Sequence, residues 1–317
     1  MKFLSKRNIY VILACVFLFG IIFLNIISLQ DTKEPEVRFN FGKKLPLQQI
    51  FLLNFFGFLY LLLFVWGTIN VLNLLGKRLK RQHFFDNVKI KKFQLSEEKS
   101  SKLFFFIFLT IFLAQIFQIV FFDPKTNPIA KIIFTNFILE CILILIILKF
   151  IPRSQLNFDF KNLNFDIVFK LYTMLFPLIF IAFTLSNLVF KNFKIESSIN
   201  PAITILLSLN NKMLANLFFV QIIFLGPLAE ELFFRGFIYK LTRTQFSFFF
   251  SALFTSFVFA LLHRTFYDIL PLTIISMLLC YIYEKTQNLA NAFILHFLHN
   301  SLNLIGILLL KSYIFIS

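Results

Sequence analysis

The amino-acid sequence predicts an all-α fold, a polytopic bundle of about eight or nine transmembrane helices. Of the 317 residues, 59% are hydrophobic and only 15% are charged, and the mean hydropathy is +0.83. A soluble globular protein of this length could not bury so much apolar side chain. The apolar residues are also grouped into long runs, separated by short polar loops. These observations together identify an integral membrane protein with the lipid bilayer as its surroundings.

The predicted spans follow one another along the whole chain. All but one reach the roughly 20 residues that a helix needs to cross the hydrocarbon core, and 47–75 and 213–241 are longer. They cover about 9–29, 47–75, 103–122, 131–151, 167–190, 213–241, 248–267, 269–284 and 289–311. Two features could change the count, because the run 269–284 is short and Gly226-Pro227 predicts a new helix segment or a kink at that point.

The charge pattern sets the predicted orientation. The net charge of +16 resides mainly in the loops, where basic residues determine topology and meet anionic headgroups, so nucleic acid is excluded as a partner. The loop 77–102 is the most basic segment and is expected to stay in the cytoplasm. Nine spans with a cytoplasmic N-terminus satisfy the positive-inside rule. The three cysteines lie in apolar runs without paired spacing, which indicates neither a disulfide framework nor a cysteine-type zinc site.

Glu230, Glu231 and Arg235 interrupt an otherwise apolar stretch. Acids within a membrane span are costly, so they indicate a functional site by default, although an interfacial helix end with a salt bridge is the alternative. Glu231 and Arg235 are four residues apart, with the acid first, which favours a side-chain pair. Glu230 has no basic residue three or four positions later. A carboxylate in such surroundings is suited to act as a general base.

Three further polar residues lie in the downstream apolar segments, namely His263, His296 and Asn300. His296 and Asn300 are one helical turn apart and project from the same helix face. For His263 alone, a hydrogen-bonded interfacial position is the simpler explanation. We expect 226–241 and 248–267 to meet deep in the bundle, so that these residues and Glu230 converge on one cavity.

Two chemistries fit this set of side chains. Glu230 could take a proton from water while the histidines and Asn300 hold the water or donate to an oxyanion. Alternatively, Glu230, His263 and His296 could bind a divalent metal such as zinc with a water in the fourth position. The sequence has no His-Glu-x-x-His motif, catalytic serine elbow or phosphate-binding glycine loop.

The three motifs, in this order, resemble those of the CPBP family, which comprises the type II CAAX prenyl proteases and bacterial relatives that process bacteriocins or confer self-immunity. The motifs are Glu230-Glu231-Leu-Phe-Phe-Arg235, Phe259-Ala-Leu-Leu-His263 and His296-Phe-Leu-His-Asn300. The resemblance covers roughly residues 170–310. It implies that Glu230 activates water, that His263, His296 and Asn300 complete the catalytic site, and that Glu231 and Arg235 support it. Family members are described as metal-dependent and as glutamate-dependent, and His299 has no assigned role.

The resemblance predicts an intramembrane endopeptidase acting on a membrane-associated or lipid-modified peptide or protein, in a bacterial cytoplasmic membrane. The predicted domains are an N-terminal region of four spans, 1–165, and a catalytic region, 166–317. One alternative is a non-enzymatic immunity or scaffolding protein of the same fold. A proton-coupled transporter is the other alternative, against which residues 1–160 show no second copy of the acidic or histidine motif. No oligomeric state is predicted.

Overall fold

The computed structural model describes residues 9–17, 20, 37–39, 46–79, 93–120, 127–192, 201–263, 266–311 and 314–316. These residues are almost entirely helical, which confirms the all-α prediction. Residues 9–17 are helical and are called α1. The later helices are α2 (Leu47–Leu79), α3 (Glu97–Val120), α4 (Pro128–Phe150), α5 (Arg153–Leu156), α6 (Phe165–Asn192), α7 (Pro201–Ser208), α8 (Lys212–Val220), α9 (Gly226–Phe233), α10 (Lys240–Arg243), α11 (Phe248–Leu261), α12 (Ile269–Thr286) and α13 (Leu289–Leu310).

Three shorter helical turns and two short strands complete the described elements. Residues Gln221–Leu225 and Phe234–Tyr239 form π-helical turns on either side of α9, and Phe266–Asp268 forms a 3₁₀ turn before α12. The strands β1 (Val37–Phe39) and β2 (Ile314–Ile316) pair antiparallel, with Val37 opposite Ile316. This small pair of strands was not predicted, and it leaves the fold class unchanged.

Seven helical stretches among the described residues are long and apolar enough to cross a membrane. They correspond to the predicted spans that begin at 47, 103, 131, 167, 213, 269 and 289. The first predicted span, 9–29, is described only at residues 9–17 and 20, and residues 80–92 of the basic loop 77–102 lie outside the described residues. The span predicted at 248–267 is shorter, because α11 ends at Leu261. There the backbone N–H of His263 donates to the carbonyl of Ala260, a tightened last turn after which the chain leaves the helix.

The chain divides into two compact units, each made of segments that are far apart in the sequence. The first unit combines Met1–Glu34, Phe93–Leu156 and Leu209–Phe233. Within it, α4 packs against α3, α8 and α9. Its core is formed by fully buried aliphatic side chains such as Leu103 and Ile133.

The second unit combines Pro35–Lys92, Asn157–Ser208 and Phe234–Ser317. Within it, α6 packs against α2, α12 and α13, and α11 packs against α12. The helix pair α2 and α6 approaches closely at Gly67, where an added Cβ would lie 2.0 Å from the carbonyl oxygen of Thr173. Small residues at such contacts let two helix backbones approach each other.

A polar loop, residues 157–164, holds the start of α13 in the second unit. The side chain of Asn288 caps α13 by accepting from the N–H of Ala290, and it also accepts from the N–H of Asp159. Its amide group donates to the carbonyls of Asp159 and Asn162. The N–H of Asn164 donates to Asn291. The cap thereby fixes the helix that carries His296 and Asn300.

Candidate active site

The acidic motif lies on α9, between the two π-helical turns. Pro227 occupies the first turn of α9, as the sequence predicts, and the chain stays helical from Lys212 to Arg243. The predicted break is therefore a change of helix type, and such π-helical turns occur frequently at functional sites. Glu230 is half-buried and Glu231 is fully buried. Both belong to the first unit.

Arg235, in the second unit, is completely buried. Its guanidinium donates to the side-chain oxygen of Ser276 at 2.6 Å and to the backbone carbonyl of the same residue at 3.0 Å. The guanidinium also lies over the ring of Phe259, 5.1 Å from the centroid. Ser276 on α12 is a partner that the motif does not contain, and the predicted pair with Glu231 stays a prediction.

In the second unit, the polar side chains of Arg235, His263 and His296 surround the ring of Phe259. Its centroid lies 4.5 Å from that of His263 and 6.1 Å from that of His296. The ring of Phe234 packs edge-on against it at 5.0 Å. Phe259 is 1% exposed. The structure thus brings Arg235, His263 and His296 together around one buried aromatic ring. Their expected convergence with Glu230 stays a prediction.

The tautomer of His263 follows from one hydrogen bond. Its Nδ1 lies 2.8 Å from the carbonyl oxygen of Phe259. A carbonyl can only accept, so Nδ1 carries the proton and Nε2 of the neutral ring has a free lone pair. This bond orients a half-buried histidine two residues beyond the end of α11, which the sequence pattern could not predict.

The third motif places His296 and Asn300 on the same face of α13, one turn apart. His296 is 5% exposed and Asn300 is half-buried. His299 points into a different network, since its Nε2 accepts from the amide of Asn303 at 2.9 Å. Asn303 in turn accepts from the hydroxyl of Tyr60 on α2 at 3.2 Å. His299 thus supports Asn303, which joins α13 to α2.

Sequence reasoning missed a polar group in the first unit, next to the acidic motif. Glu140 on α4 accepts a hydrogen bond from the side-chain amide of Gln221 at 3.3 Å. Gln221 is the first residue of the π-helical turn before α9 and is almost fully buried. Helical periodicity could not predict this hydrogen bond, because it does not reveal which residue of another helix a lone acid contacts.

The metal alternative can be compared with the described side chains. Within the described part of the chain, no three His, Cys, Asp or Glu residues are gathered closely enough to hold a metal ion. Zinc binding by Glu230, His263 and His296 stays a prediction.

Comparison with known families agrees with the motif positions. Residues 212–302 match a family model described as type II CAAX prenyl endopeptidase Rce1-like. No curated protein and no solved structure matches the chain. The matched segment runs from α8 into α13 and includes all three motifs. The match at residues 212–302 confirms the resemblance to the CPBP family of intramembrane proteases.

Proposed function

We propose that the protein is an intramembrane endopeptidase that hydrolyses a peptide bond with a water activated by Glu230. The observation that carries the proposal is the convergence of Arg235, His263 and His296 around Phe259, inside the segment that matches a protease family. Buried polar groups in a membrane protein are costly and are retained where chemistry needs them.

Glu230 acts as the general base. Its carboxylate takes one proton from a water molecule while the water oxygen attacks the carbonyl carbon of the substrate peptide. The resulting tetrahedral intermediate carries the negative charge on the former carbonyl oxygen. When the carbon–nitrogen bond breaks, the protonated Glu230 returns its proton to the leaving amine. The products are a carboxylic acid, which keeps the second hydrogen of the water and then ionises, and an amine, and Glu230 is regenerated as the carboxylate.

The hydrogen bond of His263 limits what this residue does. With Nδ1–H donated to the carbonyl of Phe259, the neutral ring offers only the lone pair of Nε2. His263 therefore accepts a hydrogen bond from the attacking water and orients it. It does not donate to the oxyanion in this tautomer.

The oxyanion then needs donors from α13. The side-chain amide of Asn300 has N–H groups, and His296 on the same helix face has a ring N–H. Preorganised donors of this kind commonly contribute a factor of about 10² to 10³ to the rate. Glu231 and Arg235 support the site, and the two hydrogen bonds from Arg235 to Ser276 hold α12 against the motif segment.

The substrate in this proposal is a peptide or protein at the membrane, lipid-modified or membrane-anchored. The decisive test compares Glu230→Gln with Glu231→Gln in purified protein reconstituted into vesicles. The probes are membrane-anchored reporter peptides with and without a C-terminal prenylcysteine, and cleavage is followed by mass spectrometry. Glu98→Gln makes the same chemical change at a surface ion pair with Lys102 and serves as the matched control.

We expect Glu230→Gln to reduce cleavage by at least about 10²-fold, as for loss of a general base, with Glu98→Gln unchanged. Full cleavage by Glu230→Gln would refute the proposal. Two other outcomes favour the alternatives. An immunity or scaffolding protein would keep its cellular phenotype in Glu230→Gln without any cleavage by the wild type. A transporter would show Glu230-dependent proton flux in the same vesicles.

A further inference from the structure

Glu140 is an acid of the first unit that the matched family segment does not include. It lies on α4, within the candidate span Pro128–Phe150, whereas the family match begins at residue 212. Its Oε1 accepts the amide of Gln221 at 3.3 Å. The cost of an acid within a membrane span calls for a specific role.

Two observations place this acid next to the face of α9 that carries Glu230. A Cβ added at Gly226 would lie 3.5 Å from Oε1 of Glu140, so the carboxyl group rests against the backbone of Gly226. Gly226 and Glu230 are four residues apart on α9 and share a helix face. The carboxyl groups of Glu140 and Glu230 also lie within the range of direct electrostatic interaction.

The hydrogen bond between Glu140 and Gln221 leaves one oxygen atom of each side chain without a partner among the described residues. Oε2 of Glu140 and Oε1 of Gln221 are both buried, and neither has a hydrogen-bond partner among the described residues. The Gln221 oxygen can only accept, whereas a carboxyl oxygen accepts when ionised and can donate when protonated, and leaving either atom buried without a partner is costly. A water molecule both donates and accepts, so it suits a polar site lined by this pair in either protonation state of Glu140.

We propose that Glu140 and Gln221 are positioning residues that hold a water molecule beside Glu230. In the reaction proposed above, on which the role of this pair rests, this water hydrates the Glu230 carboxyl and orients it toward the attacking water. Glu140 is thus part of the site although it belongs to the N-terminal spans. The competing explanation is a hydrogen bond that merely joins α4 to the π-helical turn.

The test uses the full-length protein in vesicles with two readouts. The variants are Glu140→Gln, which keeps the shape and the bond from Gln221, and Gln221→Leu, which removes the bond. Glu98→Gln is the control. The first readout is kcat and KM on the reporter peptide cleaved by the wild type. The second is the rate at which dicyclohexylcarbodiimide modifies Glu230, measured by mass spectrometry, because this rate depends on the electrostatic and hydrogen-bonding surroundings of a carboxyl group and needs no substrate.

We expect Glu140→Gln to lower kcat about tenfold, the usual size for a residue that orients a catalytic group, with KM within about twofold. The same variant should change the modification rate of Glu230 by about threefold or more, and Gln221→Leu should act in the same direction. An unchanged kcat and unchanged modification rate in Glu140→Gln would overturn the inference. The inference would also be overturned if Glu140→Gln gave less folded protein but the folded fraction showed the wild-type modification rate of Glu230.

The two proposals fail separately. If no reporter is cleaved by the wild type, the endopeptidase proposal fails, and the modification rate alone decides whether Glu140 acts on Glu230. If cleavage depends on Glu230 but neither readout responds to Glu140→Gln, only the present inference fails. If Glu140→Gln does not accumulate in the membrane, Gln221→Leu decides by the same criteria, since it leaves the carboxyl group in place.

Discussion

At the scale of single residues, Phe259 has a structural role beyond its place as the first residue of the Phe-x-x-x-His motif. Its backbone carbonyl fixes the proton of His263, and its ring contacts His263, His296 and the guanidinium of Arg235. A buried aromatic ring of this kind limits the rotamers of the polar groups around it. Precise placement matters because small displacements of catalytic groups can cost roughly 10²-fold in rate.

A substitution at Phe259 should therefore affect activity more than stability. Phe259→Leu keeps an apolar side chain and the backbone carbonyl but removes the ring against both imidazoles. We expect kcat to fall roughly 10- to 100-fold, with a stability loss of only about 1 kcal/mol. Phe234→Leu is the matched control, since Phe234 is also buried and contacts Phe259. Equal activity losses in the two variants, measured by reporter cleavage at equal protein levels, would contradict this role.

A single acid outside the spans predicts a pH effect. Asp159 accepts hydrogen bonds from the side chain of Asn162 at 2.6 Å and from the backbone N–H of Lys161 at 2.8 Å. These bonds hold the pKa of Asp159 below its ordinary value of 3.8, with the Asn162 bond as the larger cause. Because the pKa is lower in the folded state than in the unfolded state, the charged carboxylate stabilises the folded loop at pH values above the unfolded-state pKa. This stabilisation is lost as the pH falls through the folded-state pKa.

We expect the thermal stability of Asp159→Asn to depend less on pH below about 4. In the wild type, Asp159 becomes protonated in this range and the hydrogen bonds that its carboxylate accepts are weakened. Melting in detergent micelles between neutral pH and pH 3 provides the measurement. Lys161→Ala keeps the backbone N–H that donates to Asp159 and is the control, so its acid dependence should resemble that of the wild type. An unaltered acid dependence in Asp159→Asn would show that the loop contributes nothing there.

At the scale of elements, the contact of α2 with α6 depends on the absence of a side chain at Gly67. A Cβ there would lie 2.0 Å from the carbonyl oxygen of Thr173 and 2.9 Å from Cδ of Pro177. Both contacts are closer than atoms tolerate, and the first is to backbone, which cannot rotate away. The two helices must separate to admit even a methyl group.

Gly67→Ala should consequently destabilise the protein by about 1 to 3 kcal/mol, the usual cost of overpacking. Gly57, on the same helix, has no atom within 4 Å of its added Cβ. Gly57→Ala should cause no loss, because alanine is the better helix former. Melting temperatures of both variants in the same detergent test this directly, and equal values would mean that α2 and α6 are not in contact at Gly67.

At the scale of the whole molecule, the sequence predicts the fold class because each apolar run is long enough to identify a span without knowledge of its neighbours. Side-chain contacts between different helices could not be predicted in this way. Helical spacing pairs Arg235 with Glu231, but it could not reveal Ser276, which is 41 residues away. The same holds for Glu140 and Gln221, which are 81 residues apart. The end of α11 at Leu261 was also mispredicted, because the predicted span was extended over the polar residues 263–265 to Phe266 and Tyr267.

The two units predict that cutting the chain at the predicted domain boundary separates helices that pack together. The predicted domains separate at 165/166, yet α4 belongs to the same unit as α8 and α9, and α2 to the same unit as α6 and α13. Residues 166–317 alone would leave the faces of α6, α9 and α13 without these partners. We expect this fragment to be degraded or to aggregate in cells. Coexpression with residues 1–165 should restore a stable complex that copurifies in detergent, and Gly67→Ala in the N-terminal fragment should weaken it. A fragment 166–317 that accumulates, melts cooperatively and cleaves the reporter by itself would show that the N-terminal spans are dispensable.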